Sequence, residues 1–464
     1  MEYQEKIYAS LPQCFQVFLL NLKAGELYLE RYGKKFRRML ADFEKNQWKS
    51  ADALAALQDR AIERLVRHAY RKVPYYREVM DRLKLVPGDI RTRGDLARLP
   101  VLTREDIRRN HWRLVAKGAR KLTLRHGHTS GTTGSPLDLC YDIRTCVAHH
   151  VADWRQKSWA GLEFGQPYAS LQGRVIVPLR QRRPPFWRKN YVNNQLFLSA
   201  FHLKRENLPF YFEKLSKDGI RFLEGYPSNL YILARYLSGR GEHFPLKAVL
   251  TSSETLFDFQ RKGIEEAFCC KIFDFYGMAE RVVFATECDR HGGQHLNLDY
   301  GITEFLDGSG AAIGAGRMGK IVATSLHNYA MPMIRYQTND ACALKEEVCG
   351  CGRQFPLMAG VATKNESIIT LPDGRLVSPS VLTHPFKPMG NILESQIIQE
   401  KRNLLRVKVV RRSGYGPRDE RRLVAAFNAR LGAGVRIRVE YPEKIPREAS
   451  GKYRWVISNI RPQF

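Results

Sequence analysis

The 464-residue chain contains no apolar run approaching the ~18 residues of a membrane-spanning helix, which excludes an integral helical membrane protein. It has no internal repeat and no low-complexity segment, so a solenoid and a disordered tail are both excluded. Cysteines are few, nine, and odd in number with no regular framework. That argues against a disulfide scaffold and for a reducing, cytoplasmic setting. The start, Met1-Glu2-Tyr3-Gln4-Glu5-Lys6, is acidic, and the apolar patch from Cys14 to Leu22 is broken by Gln16 and Asn21. An amphipathic helix is expected there rather than a secretion signal.

Acidic residues are also scarce, 47 against 75 Lys and Arg, for a formal charge of +28. Residues 401–464 alone carry 17 basic against 5 acidic residues. Such a field draws anions: nucleotides, pyrophosphate, coenzyme A, nucleic acid or an acidic membrane. Nucleic acid is disfavoured, because the charges are dispersed among strand-like apolar residues without a nucleic-acid-binding motif.

What is present is an ordinary globular composition in a chain long enough for two or three domains. Residues 1–120 read as mainly helical, with helical spacing from Ala53 to Ala69, a stop at Pro74, and a helix capped by Thr103 with Asp106 three residues on. From Leu137 to about Ala343, apolar runs (Leu137 to Asp142, Arg174 to Pro178, Ala248 to Ser252, Lys271 to Phe275, Gly319 to Ser325) alternate with helical stretches (Thr145 to Ala160, Leu208 to Lys217, Ser228 to Gly239, Phe257 to Phe268). That order predicts an α/β fold with a mostly parallel sheet. After Gly360 the pattern becomes a small α+β unit: strands at 368–371, 393–400, 404–410 and 434–441, and a helix from Arg418 to Leu431. The boundary is expected near Thr363, dividing the chain into 1–362 and 363–464.

The most informative segment is Thr129-Ser130-Gly131-Thr132-Thr133-Gly134-Ser135, nothing but hydroxyls and glycines between a basic-apolar run and a strand. Glycines let backbone N–H groups close on an anion, the chemistry of a phosphate-cradling loop. A polar hairpin tip would have the same composition. Tyr276-Gly277-Met278-Ala279-Glu280 follows an apolar run, hence lies at a strand end, where α/β sheets bind ligands. A plain helix start with Glu280 on the helix dipole is the alternative. Further on come Arg335-Tyr336-Gln337-Thr338-Asn339-Asp340 and Pro446-Arg447-Glu448-Ala449-Ser450-Gly451-Lys452.

In order and spacing these four segments resemble the adenylate-forming (acyl-CoA synthetase) superfamily, most closely its phenylacetate-CoA ligase and CapK-like branch. The resemblance runs from about Ala51 to the C-terminus. It implies a large N-terminal α/β domain with a small mobile C-terminal lid, and ATP-dependent, AMP-forming activation of a small carboxylic acid. Transfer to coenzyme A would follow. It implies that Thr129, Ser130, Gly131, Thr132, Thr133 and Gly134 embrace the β- and γ-phosphates, that Tyr276 and Gly277 lie by adenine, and that Glu280 holds Mg²⁺. Ser253 and Glu254 would form the adenine-edge turn, Asp340 would accept from the ribose hydroxyls, and Lys364 would stand at the hinge. Lys452 would neutralise charge at the α-phosphate. The chain departs from the pattern at Ser135, Ala279, Gln337, Asn339 and 363–366. A CapK-like enzyme decorating a saccharide precursor, or a non-catalytic nucleotide- or nucleic-acid-binding scaffold, are the other readings.

Two further groups stand out. Cys288-x2-His291-x3-His295 and Cys349-x-Cys351 supply soft donors for a tetrahedral structural Zn²⁺, with Cys288, His295, Cys349 and Cys351 the chosen set and His291 the substitute. Free buried cysteines and surface histidines would look the same. Cys269 and Cys270 read as core. Residues 180–189 combine five basic residues with two exposed-looking aromatics around Pro184-Pro185, either a solvated loop or a peripheral contact with an anionic membrane.

Overall fold

The computed structural model describes residues 7–119, 124–129, 137–361, 369–373, 376–377, 379–386, 388–446 and 455–460. The chain begins with helices α1 (Gln13–Arg31), α2 (Lys34–Asn46), α3 (Ala51–Lys72), α4 (Pro74–Arg82) and α5 (Arg104–Leu114). Local chemistry sets their ends. Ser50 accepts from the Ala53 N–H at the start of α3, and Pro74, unable to continue that helix, opens α4 instead. At α5 the capping box is complete: Thr103 Oγ1 accepts from the Asp106 N–H, and Asp106 accepts from the Thr103 N–H at 2.9 Å.

The strands of the large part are β1 (Arg125–His128), β2 (Asp138–Tyr141), β3 (Tyr168–Leu171), β4 (Trp187–Asn190), β5 (Gln195–Leu198), β6 (Phe222–Gly225), β7 (Ala248–Ser252), β8 (Lys271–Gly277), β9 (Phe284–Glu287), β10 (Gln294–Leu296), β11 (Gly301–Leu306), β12 (Met318–Ser325), β13 (Tyr336–Ala343) and β14 (Leu357–Met358). Nine of them form one sheet in the order β14-β10-β9-β8-β7-β6-β3-β5-β4. Its centre, from β8 to β5, is parallel, and both flanks are antiparallel. The parallel strands alternate with α6 (Ile143–Trp159), α7 (Leu208–Lys217), α8 (Pro227–Ser238) and α9 (Asp258–Phe268), as the alternation of apolar runs and helical stretches predicts. β11-β12-β13 make a separate antiparallel sheet, and β1-β2 a hairpin.

After β15 (Ile369–Thr370) and β16 (Leu376–Val377) comes a four-stranded sheet. It is built from β17 (Ile392–Lys401), β18 (Leu404–Arg411), β19 (Arg436–Glu440) and β20 (Val456–Ser458), backed by α11 (Pro417–Leu431) after the short α10 (Pro379–Leu382). It has its own core around Leu405, Val407, Phe427 and Trp455. The expected boundary residue Thr363 lies outside the described residues.

Three local expectations fail. Residues 174–178 are not a strand: Val175 and Leu179 pack against the C-terminal core, so that segment is apolar to meet another unit rather than to enter a sheet. Residues 180–189 are not a loop with exposed aromatics, since Phe186 and Arg188 are buried and Trp187 begins β4. Cys269 is exposed at the end of α9 in the left-handed region (φ 50°), not in the core.

Candidate active site

The strands β1 and β2 flank the hydroxyl-rich segment in the chain. Its neck is closed by the buried Thr129, whose N–H donates to the Leu137 carbonyl at 3.1 Å while its Oγ1 accepts from the Leu137 N–H at 2.9 Å. Ser130, Gly131, Thr132, Thr133 and Gly134 lie outside the described residues. Gly127 has no room for a side chain, because a Cβ there would stand 2.6 Å from the Tyr141 ring. Tyr141 crosses in that space, donates its hydroxyl hydrogen bond to the Ala279 carbonyl, and carries the Arg281 guanidinium 4.2 Å over its ring. The hairpin is thereby docked on the segment that follows β8.

That segment places Glu280 in a buried position. Its Oε1 accepts from the Tyr336 hydroxyl at 2.7 Å and lies 3.5 Å from Arg104 Nη1. The other arm of the same guanidinium, Nη2, donates to Thr129 Oγ1 at 3.2 Å. One planar fork therefore joins the loop neck to the carboxylate. Arg104 is the first residue of α5, held here because Leu102 pairs with β13: Leu102 N–H donates to the Arg335 carbonyl, and Gln337 N–H to the Leu102 carbonyl. Arg335 itself faces away, to Glu304 and to the carbonyls of Ala97 and Leu99.

Four residues before Glu280, the Tyr276 hydroxyl donates to Asp340 Oδ2 at 2.8 Å. Burial first, and then the Asp340 carboxylate beside it, holds the Tyr276 phenol well above its ordinary pKa, so it stays a neutral donor. Glu254 accepts from the Ser228 N–H at the start of α8, and its buried Oε1 has no hydrogen-bond partner among the described residues. Ser253 (φ 69°), Arg281 (φ 55°) and Arg335 (φ 53°) are all non-glycine residues in the left-handed region. Ser253 lies in the Ser253-Glu254 turn, Arg281 follows Glu280 and Arg335 opens the segment ending at Asp340, and such residues persist only where surrounding packing over-determines them. The structure thus brings Thr129, Tyr276, Gly277, Glu280 and Asp340 into one region, while Lys364 and Lys452 lie outside the described residues.

A cleft of about 2250 Å³ opens from the hairpin base (His126, Gly127, His128, Asp138) towards α1 and the C-terminal unit. Tyr276, Glu280 and Asp340 do not line it. Among its lining residues Lys157 is buried between Asp153 (2.6 Å) and Glu224 (3.4 Å), and Glu224 also accepts from Gln172. Burial works against the Lys157 ammonium, but the two carboxylates outweigh it and hold it charged.

At the sheet edge, donor atoms of Cys288, His295, Cys349 and Cys351 all lie within 4.8 Å of one another. Cys288 Sγ is 3.6 Å from Cys349 Sγ, and Cys351 Sγ is 3.5 Å from His295 Nε2. His295 Nδ1 donates to the Phe355 carbonyl at 2.9 Å, which leaves Nε2 as the atom facing the thiols. His291 turns to Glu287 instead. Burial pushes the Cys288 thiol up to about 12.

Two groups were not anticipated. Arg104 is one of 75 basic residues, and no local pattern marks it. Asp274, in β8, is pushed up to about 8 by burial and by the neighbouring Glu287. It accepts from Thr251 and Gln294.

Residues 369–459 match the family model of the CapK C-terminal domain. The chain is 27% identical over 463 residues to Protein CapK of Staphylococcus aureus, covering 98% of this chain and 99% of that one. It is 25% identical over 345 residues to a phenylacetate-coenzyme A ligase of Thermus thermophilus (69% and 72% covered). To the Escherichia coli phenylacetate-coenzyme A ligase it is 27% identical over 358 residues (72% and 76%). A crystal structure of 2-hydroxyisobutyryl-CoA ligase in complex with 2-HIB-AMP and CoA shares the fold, with a TM-score of 0.58 at 18% identity over 89% of this chain and 91% of that one.

Proposed function

We propose that this chain, a relative of CapK and of the phenylacetate-CoA ligases with the fold of the adenylate-forming ligases, is an ATP-dependent, AMP-forming acid ligase. A carboxylate oxygen of the acid attacks the α-phosphorus of ATP. The bond to the bridging oxygen breaks and pyrophosphate leaves, giving an acyl-adenylate. The thiol of coenzyme A then attacks the acyl carbonyl, and AMP leaves. The observation that carries the reading is the Arg104 fork joining Thr129 to Glu280, with Tyr276, four residues before Glu280, donating to Asp340 from the other sheet.

In this reading the hydroxyl-rich loop holds the phosphates through backbone donors, and Asp340, oriented by Tyr276, accepts from the ribose hydroxyls. Glu280 supplies a hard oxygen donor for Mg²⁺, which neutralises phosphate charge when bound. Arg104 sets where that carboxylate stands relative to the loop. Lys452, on the C-terminal unit beginning near 363, would reach in from a mobile lid. The test is acid-dependent ATP–pyrophosphate exchange across a panel of carboxylic acids, with and without coenzyme A. Exchange abolished by Glu280→Gln is expected. No exchange with any acid, together with salt-sensitive polynucleotide binding, would overturn it.

The cleft favours a second reading of the acceptor. Its lining of Asp153, Lys157, Gln172, Glu224, Asn190 and Gln195 suits a polyhydroxylated partner, as in CapK-like decoration of a saccharide. Acyl transfer that ignores coenzyme A and needs a sugar would select it.

The Cys288, His295, Cys349 and Cys351 cluster fits a structural Zn²⁺. At Zn–S distances of ~2.3 Å a tetrahedral site has S···S edges of about 3.8 Å, close to the 3.6 Å between Cys288 and Cys349. The ion would tie the loop after β13 to β10 and to the end of β9.

A further inference from the structure

Helix α1 has two unlike faces. Leu20, Ala24, Leu27 and Arg31 turn inward to the cleft. Outward stand Phe15 (56% exposed), Phe18 (62%), Leu22 (63%) and Leu29 (80%). At about 100° per residue these four fall within roughly a 60° arc, a continuous apolar stripe along the outer face. Glu26, the acidic residue beside that arc, is paired with Lys23 at 2.7 Å.

The surroundings extend the stripe. Asn21 accepts from the Tyr191 N–H at 2.7 Å and donates to the Lys189 carbonyl at 2.9 Å, which fixes the β4-β5 hairpin tip against α1. The exposed Tyr191 and Val192 stand on that tip. Beyond the N-terminal end, Arg180 donates to the Ala9 carbonyl, and the adjoining Arg182, which also borders the cleft, and Arg183 are exposed. Beyond the C-terminal end, Lys34 and Lys35 are exposed. An apolar, partly aromatic stripe therefore lies between two basic pairs. Among the described residues no helix is long and apolar enough to cross a membrane.

We propose that this face rests on an anionic lipid membrane. Phe15, Phe18, Leu22 and Leu29 enter the boundary between headgroups and acyl chains, Tyr191 sits at headgroup level, and the two basic pairs face lipid phosphates. The charges select this occupant over a second copy of the chain. Whether two α1 stripes met head-to-head or head-to-tail, a basic pair would meet a basic pair, which opposes self-association. An anionic bilayer meets both ends with the complementary sign.

The test is co-sedimentation of the full chain with phosphatidylcholine vesicles and with vesicles containing phosphatidylglycerol. Binding to the anionic vesicles that weakens with salt is expected. The double variant Phe18→Ser/Leu22→Asn should bind roughly tenfold more weakly. Arg182→Gln/Arg183→Gln should lose mainly the preference for anionic lipid. All these side chains are exposed, so the far-ultraviolet spectrum should not change. Equal sedimentation of wild type and variants would overturn the proposal. So would a wild-type dimer in solution that Phe18→Ser/Leu22→Asn splits, because the stripe would then belong to a second copy.

Discussion

The Tyr276 hydroxyl donates to Asp340 Oδ2 at 2.8 Å, linking the end of β8 to the middle of β13, two strands of different sheets. Asp340 thereby has one oxygen oriented from within the protein. Asp340→Asn removes the charge and half the acceptor capacity, so kcat/KM for ATP in the exchange assay should fall by roughly 10- to 100-fold. Tyr276→Phe leaves the carboxylate in place but removes that one hydrogen bond, and a loss of about three- to tenfold is expected. Equal effects of the two would mean that Asp340 acts only through the tyrosine.

Arg104 is a positioning residue in this scheme, and its geometry gives a specific expectation. Lysine keeps the charge but cannot reach Thr129 and Glu280 with two arms of one plane. Arg104→Lys should therefore lower kcat by about tenfold with little change in the KM for the acid. Arg104→Ala should also loosen the hairpin neck, seen as faster amide exchange at Leu137. A lysine variant with wild-type kcat would show that charge alone suffices.

Much of the fold was legible because local rules and tertiary packing agree. Thr103 and Asp106 cap α5 as their spacing demands, and Ala248–Ser252 is apolar because both faces of a central parallel strand are covered. The segment at 174–178 was misread because apolarity reports burial, not pairing, and its partner is a distant unit. Phe186 and Trp187 were misread because the basic residues around them hide a strand whose buried Arg188 is satisfied by Gln16 from α1. In the site, Tyr276, Glu280 and Asp340 could be named from motif order. Arg104 could not: its role exists only because Leu102 pairs with β13, a contact spanning more than two hundred residues. The cysteine and histidine set could be chosen from soft donors at short spacing, but only the fold shows that the two runs converge.

Asp274 gives a pH signature. Burial first, and the nearby Glu287 second, raise its carboxyl from the usual 3.8 to about 8. The folded state therefore keeps a proton that the unfolded chain releases. Its contribution to stability is fully present below pH 3.8 and is lost as pH rises towards about 8. Asp274→Asn cannot ionise. The difference in stability between variant and wild type should thus shift in the variant's favour by roughly 1–3 kcal/mol between pH 5 and pH 8. Denaturant unfolding across that range checks it, and a difference independent of pH would show that Asp274 is ionised in the native protein.

The cluster of Cys288, His295, Cys349 and Cys351 makes the last prediction. Cys288 is buried and its thiol resists ionisation, so four converging soft donors without a cation would bury thiols with only weak hydrogen bonds. If Zn²⁺ were bound, Cys288, Cys349 and Cys351 would hold it as thiolates and His295 through Nε2, which would tie the loop 349–351 to the ends of β9 and β10. Purified protein should hold about one zinc per chain by elemental analysis. Cys288→Ser or His295→Ala should lose it and lower the melting temperature by roughly 5–10 °C. Cys269→Ser, altering an exposed thiol at the end of α9, should do neither. Because the cluster stands on the sheet edge away from Glu280 and Asp340, residual exchange activity at low temperature should survive metal loss. Wild-type melting without bound metal would leave the four side chains as packing alone.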